Sequence, residues 1–284
     1  MKIVGVGGGG GNAVNWLIRN SIPGEVVCVD TDAKDLAKRL ALKKIRMTLP
    51  GAATDGGQGL TLWGEKAALG SIGPIERIFV EADIAVLIST LGGGTGSGAL
   101  PVIAKAARNM GALTVVMATT PFQHEGSARR EHALKAMGKL KTLVDIWIEI
   151  SNEDISKFYA PKDLGDLLAV PDRAFYLGIW VLNEMFSERE SLEILRGSGE
   201  AVVGWGSTVT AALANTWPRK DIRDAKTLMA LSVGEKGAKG HRNFKLMNQH
   251  FTRQFPQAER LFSKRIARVK FEEDYRVVLL AVGI

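Results

Sequence analysis

The chain has 284 residues, 46% hydrophobic and 24% charged, which are the proportions of a folded globular protein and exclude a largely disordered one. The formal charge of +7 is unevenly placed: residues 195–284 hold 16 of the 37 Lys and Arg but only 8 of the 30 Asp and Glu, a surplus of 8 against −1 elsewhere. No apolar run reaches the roughly 18 residues of a membrane-spanning helix, and the N-terminus lacks a signal-peptide pattern. A lone cysteine, Cys28, excludes an internal disulfide, so the expected location is the cytoplasm.

Lys2–Val6 reads as a short apolar strand that runs into Gly7, Gly8, Gly9, Gly10, Gly11 and Asn12. Helical spacing follows over residues 13–19 (Val14, Leu17, Ile18), then a buried strand over 25–29 and a helix over 33–42. A strand over 84–89 meets a second glycine cluster, followed by a helix over 100–109, a strand over 113–118, a helix over 128–143 and a strand over 146–150. This alternation predicts βαβ units and a parallel sheet, which binds ligands beyond the C-terminal ends of its strands. Both glycine clusters fall at such ends.

Residues 166–195 read as mainly helical, with Pro171 near a helix start. Residues 200–213 read as helical, 228–233 as a strand, 242–255 as a helix, and 261–271 and 275–282 as strands. The expected organisation is α/β: a Rossmann-like parallel-sheet nucleotide-binding domain (1–165), a central helix with an acidic segment (166–195), and an α+β domain (196–284).

Five consecutive glycines are costly in chain entropy, and they make sense where backbone N–H groups must approach a ligand closely. A helix opening beside them adds its positive end, which makes an anion site. The second cluster, Gly92-Gly93-Gly94-Thr95-Gly96-Ser97-Gly98, also lies between a strand and a helix. Two such turns in one sheet point to a ligand with several phosphates. No Lys follows either turn, which excludes a Walker P-loop. Asp30 or Asp32 could serve as the ribose carboxylate of a dinucleotide site, so a dinucleotide-dependent oxidoreductase is a rival reading, although that fold has no need of the second turn.

The second cluster resembles the phosphate-wrapping signature of the tubulin/FtsZ family, with Ser97 where FtsZ commonly has threonine. Residues 7–12 followed by Ala13-Val14-Asn15 resemble the first phosphate loop of FtsZ, and Asp30-Thr31-Asp32-Ala33 resembles its Asn-Thr-Asp-Ala turn. Pro121-Phe122-Gln123-His124-Glu125-Gly126 with Arg129 resembles a stretch in which the glutamate holds the ribose and the arginine lies by the nucleotide. Asn152, in Ser151-Asn152-Glu153, matches an asparagine that faces the nucleotide. Residues 199–206, 221–234 and 276–284 resemble segments of the family's second domain. The resemblance implies GTP or GDP bound on the upper face of the first domain, with magnesium held largely by phosphates and water. It also implies head-to-tail assembly of the chain with itself into cytoskeletal filaments, as in cell division.

The family shares its active site between subunits, one binding GTP and the next supplying acidic residues that position water. Here that segment falls near Glu188, Glu190 and Glu193; Glu190 is the first candidate, with the other two behind it. The pattern is degenerate, so a non-hydrolysing regulator of another FtsZ-like protein is a further alternative. The guanine is stacked and read on the central helix in FtsZ. Phe175 could stack here, but no carboxylate falls at the family's spacing; Tyr176 or Trp180 takes that position. Arg219, Lys220, Arg223, Lys264, Arg265 and Arg268 form basic stretches whose expected partner is the acidic segment of the next subunit, an anionic membrane or nucleic acid. No metal-ligand spacing is present.

Overall fold

A computed structural model describes residues 1–48, 59–158, 164–186, 192–234, 238–266 and 276–284. The first half alternates as the sequence predicts. Strands β1 (Lys2–Val6), β2 (Glu25–Asp30), β3 (Lys43–Arg46), β4 (Ile84–Thr90), β5 (Leu113–Thr120) and β6 (Ile146–Ser151) run parallel in the order β3-β2-β1-β4-β5-β6. Helices α1 (Gly7–Arg19), α2 (Ala33–Ala37), α3 (Thr61–Gly70), α4 (Ile72–Glu76), α5 (Gly94–Asn109) and α6 (Ser127–Leu143) connect them. Strand residues alternate between two buried clusters, so the sheet is covered on both faces. Ile3, Ile88, Val115 and Ile148 face one, and Val4, Leu87, Val116 and Trp147 the other.

After β6 come α7 (Asn152–Phe158) and the long α8 (Leu164–Met185). Strand β7 (Gly199–Gly206) joins the sheet by pairing Gly199 with Ile146 and Glu200 with Trp147, parallel to β6. The remaining strands change direction: β11 (Val277–Val282) lies antiparallel between β7 and β9 (Thr227–Val233), β10 (Arg260–Ile266) adds parallel to β9, and the short β8 (Thr216–Trp217) pairs with β7. A separate cluster around Phe251, Met247 and Leu279 packs the helix Ala238–Gln254 on this part of the sheet.

Several local expectations are corrected. Residues 7–12 are not a loop before a helix, because α1 begins at Gly7 itself. At Gly9 and Gly10 a side chain would strike β4, since a Cβ there would run into Thr90 Oγ1 and the Ile88 carbonyl oxygen respectively. A Cβ on Gly5 would sit 2.7 Å from the Gly10 carbonyl oxygen, so strand and helix backbones touch. The helix expected over 33–42 stops at Ala37, and β3 follows. Pro171 is the eighth residue of α8 and lies inside it. Residues 200–213 are not one helix. Ala201, Val202, Val203 and Trp205 are buried in β7, and the turn at Ser207 leads to a short helix, Val209–Ala214, capped by the Thr208 hydroxyl on Ala211 N–H. A stretch buried on both faces loses the strand's polar alternation and reads like a buried helix. The strand expected over 261–271 is described to Ile266. Among the described residues no helix is long and apolar enough to cross a membrane.

Candidate nucleotide site

Helix α1 springs from the end of β1, and α5 from the turn after β4, on adjacent strands. Their first turns meet: a Cβ on Gly7 would lie 3.2 Å from the Gly96 nitrogen and 3.4 Å from Thr95 Cβ. Gly7 (φ +71) and Gly92 (φ +104) take left-handed backbone that other residues resist. Neither helix has a side-chain cap or an acidic residue in its first turn. The N–H groups at the uncapped starts of two long helices therefore lie close together, the arrangement that holds anions. Gly93 has nothing within 4 Å of where its Cβ would stand, so open space lies beside it.

Side chains brace the two turns. Ser97, 5% exposed, accepts a hydrogen bond from Gly92 N–H at 2.7 Å, and the hydroxyls of Thr31 and Thr95 are 2.7 Å apart. Gly98 and Gly94 pack against α3. Asp30 accepts from the N–H groups of Thr31 (2.7 Å) and Asp32 (3.2 Å), while burial pushes its carboxyl up to about 6. Asp32 is placed beside the site, but its carboxylate caps α2, accepting from Lys34 N–H (2.8 Å) and Asp35 N–H (3.0 Å). Asn12 is exposed and accepts from Arg39, a buried cation that the sequence reading missed. An Arg just after a short helix, beside Lys38, carries no sequence signal of burial.

The segment after β5 closes the other side. A Cβ on Gly92 would lie 3.4 Å from Pro121 Cγ and 3.3 Å from Arg129 Cβ, which puts these residues at the second glycine turn. Glu125 accepts from Phe122 N–H at 2.8 Å and pairs with Arg129 at 2.7 Å. Glu153 accepts from Gln123 N–H at 3.1 Å, so α7 is tied to this turn, and Asn152, 7% exposed, opens α7 beside it. The structure thus brings together residues 7–12, Asp32, 92–98, Pro121, Glu125, Arg129 and Asn152.

Phe175 is a correction: it is 2% exposed and packed in the core, so it presents no free face for stacking. Tyr176 is equally buried and meets Trp16 edge-on at 6.0 Å. Asp172, one turn earlier on α8, has its carboxyl pushed up to about 7 by burial. Cys28 is an inert core thiol, raised to about 11 by burial.

Of the acidic candidates, Glu188 and Glu190 lie outside the described residues. Glu193 is exposed and paired with Arg196 at 3.3 Å. Arg196 also donates to the carbonyls of Gly111 (2.8 Å) and Ala112 (2.9 Å), just before β5, and to Asp145 (3.2 Å), just before β6. Glu193 therefore stands at the starting edge of the parallel strands, and the glycine turns stand at the finishing edge. A strand of six residues puts about 20 Å between those edges. The basic residues are largely engaged within the chain: Lys220 with Glu200, Arg223 with Asp221, Lys264 with Glu184, and Arg219 with the Ala214 carbonyl and the Trp217 ring. Arg268 lies outside the described residues. Among the described residues no group of three or more His, Cys, Asp or Glu could hold a metal ion.

The family model described as "Tubulin/FtsZ family, GTPase domain" matches residues 1–160. The cell division protein FtsZ of Aquifex aeolicus is 42% identical over 158 residues, 55% of this chain and 43% of that one, so the matched stretch is less than half of that relative's length. FtsZ 1 of Halobacterium salinarum is 27% identical over 302 residues, covering 100% of this chain and 76% of that protein. The solved structure "FtsZ dimer, empty (M. jannaschii)" superposes with a TM-score of 0.87 at 25% identity, covering 99% of this chain and 87% of that chain. Fold, glycine turns and matched sequence agree, and this chain belongs to the Tubulin/FtsZ family.

Proposed function

We propose that the chain binds GTP and GDP where α1 and α5 begin and assembles head to tail with copies of itself. The observation that carries the reading is the meeting of two uncapped helix N-termini at Gly7 and Gly96. Backbone N–H groups there would hold the phosphates, Glu125 and Asn152 the sugar side, and Arg129 the charge beside them. Magnesium, if bound, would be held chiefly by phosphates and water, since oxygen-rich octahedral sites suit it.

Hydrolysis on this reading needs two subunits. Glu193, the described member of the acidic candidates, stands at the edge opposite the glycine turns, and on this reading a carboxylate from one copy would reach the nucleotide of the next. Glu190 is proposed to position the water, with Glu188 behind it. The test is GTP turnover against protein concentration with sedimentation of polymer in parallel. Activity per molecule should rise with concentration; activity that stays flat on dilution overturns the shared site.

A second reading is a nucleotide-binding regulator without hydrolysis. It is favoured by Glu193, which is occupied by Arg196 rather than free for water. GDP binding with no turnover at any concentration would select it.

A further inference from the structure

Arg39 is 7% exposed, far from usual for an arginine, and it lies against the first turns of α1. Its Nη1 donates to Asn12 Oδ1 and its Nη2 to Asp35 Oδ2. Nε is buried without a partner. Gly11 makes the room, since a Cβ there would lie 2.5 Å from Nε and 2.8 Å from Cδ of Arg39. Asp35 stands 3.0 Å from where a Cβ on Gly8 would be, so a carboxylate also flanks the glycine turn. Without Arg39 that charge would face the phosphates unneutralised.

We propose that Arg39 is a positioning residue for the nucleotide: it fixes the Asn12 amide so that its NH2 group points outward as a donor, and it neutralises Asp35 beside the phosphate turn. A guanidinium has five donors and no acceptor, so it can hold only the carbonyl end of Asn12. Flipping the amide would set N–H against N–H. Asn12 is thereby committed to an acceptor, namely a phosphate, sugar or base oxygen. The inference rests on the proposed nucleotide site.

The experiment is a titration of the full chain with GDP, using the parent, Asn12→Ala, Arg39→Gln, Arg39→Lys and the double variant Asn12→Ala/Arg39→Gln, with melting temperatures in parallel. Arg39→Gln is expected to weaken GDP on the order of tenfold. Arg39→Lys should not rescue it, because one ammonium cannot replace the fork that holds Asn12 and Asp35 together. The effect of Arg39→Gln should shrink in the Asn12→Ala background, and the Asn12 side-chain amide resonance should shift in folded Arg39→Gln. Parent-like GDP binding by folded Arg39→Gln, or losses that multiply in the double variant, overturn the positioning role while leaving the nucleotide site intact. A parent chain that binds no GDP overturns the nucleotide reading itself, and the positioning role with it.

Discussion

The hydroxyls of Thr31 and Thr95 lie 2.7 Å apart and join the turn after β2 to the first turn of α5. This contact spans 64 residues of sequence and crosses between the two halves of the proposed phosphate site. Thr95→Val keeps the shape and removes the bond. It should cost about 1 kcal/mol of stability or less and weaken GDP several-fold. Thr31→Val should do the same, and the double variant should be no weaker than either single one. Calorimetric titration reads this directly; additive losses would show that the two hydroxyls act separately.

Gly7 and Gly93 separate folding from binding. Gly7 has φ +71 and faces the Gly96 nitrogen, so Gly7→Ala should destabilise the fold by about 1–2 kcal/mol. Gly93 has open space around it, so Gly93→Val should leave the melting temperature nearly unchanged while GDP binding falls. If Gly93→Val bound GDP like the parent, the open space beside it would not be the phosphate site.

Asp172 should make stability fall as pH rises. Burial raises its folded-state value to about 7, so the folded protein holds this proton more tightly than the unfolded chain does. The cost is absent below the ordinary carboxylate range, grows between about pH 4 and 7, and is constant above. Asp172→Asn should therefore stabilise the protein by about 2–4 kcal/mol at pH 8, and the gain should vanish as pH approaches 4. Denaturant unfolding of both proteins across pH checks this; a gain independent of pH contradicts it.

Arg196 should matter for folding and Glu193 should not matter for turnover. Arg196→Ala leaves Asp145, 4% exposed, without its cation and frees the carbonyls of Gly111 and Ala112. A loss of about 3 kcal/mol is expected, read by denaturant unfolding. Glu193→Ala should change GTP turnover less than about twofold, whereas Glu190→Gln should abolish it. The reverse ranking would move catalysis to Glu193.

The glycine clusters, the strand-helix alternation and the Pro121, Glu125 and Arg129 segment were legible in sequence because each is a local pattern: periodicity, backbone freedom or residue order. Their meaning was only partly legible. Gly10 also lets α1 lie directly on β4 at Ile88 and Gly11 also makes room for Arg39, and both needs depend on neighbours remote in sequence. The same holds for Phe175, whose aromatic ring suits a base equally well until the core around α8 is seen to enclose it. Strand β7 was misread because burial on both faces erases the period-two signal. Local chemistry alone therefore determined the parallel sheet and the glycine turns at the ends of its strands. Only the tertiary structure decided that Arg39 is buried against Asn12 and that Glu193 stands at the opposite edge from the glycines, because burial and distance are set by contacts between segments that the sequence keeps apart.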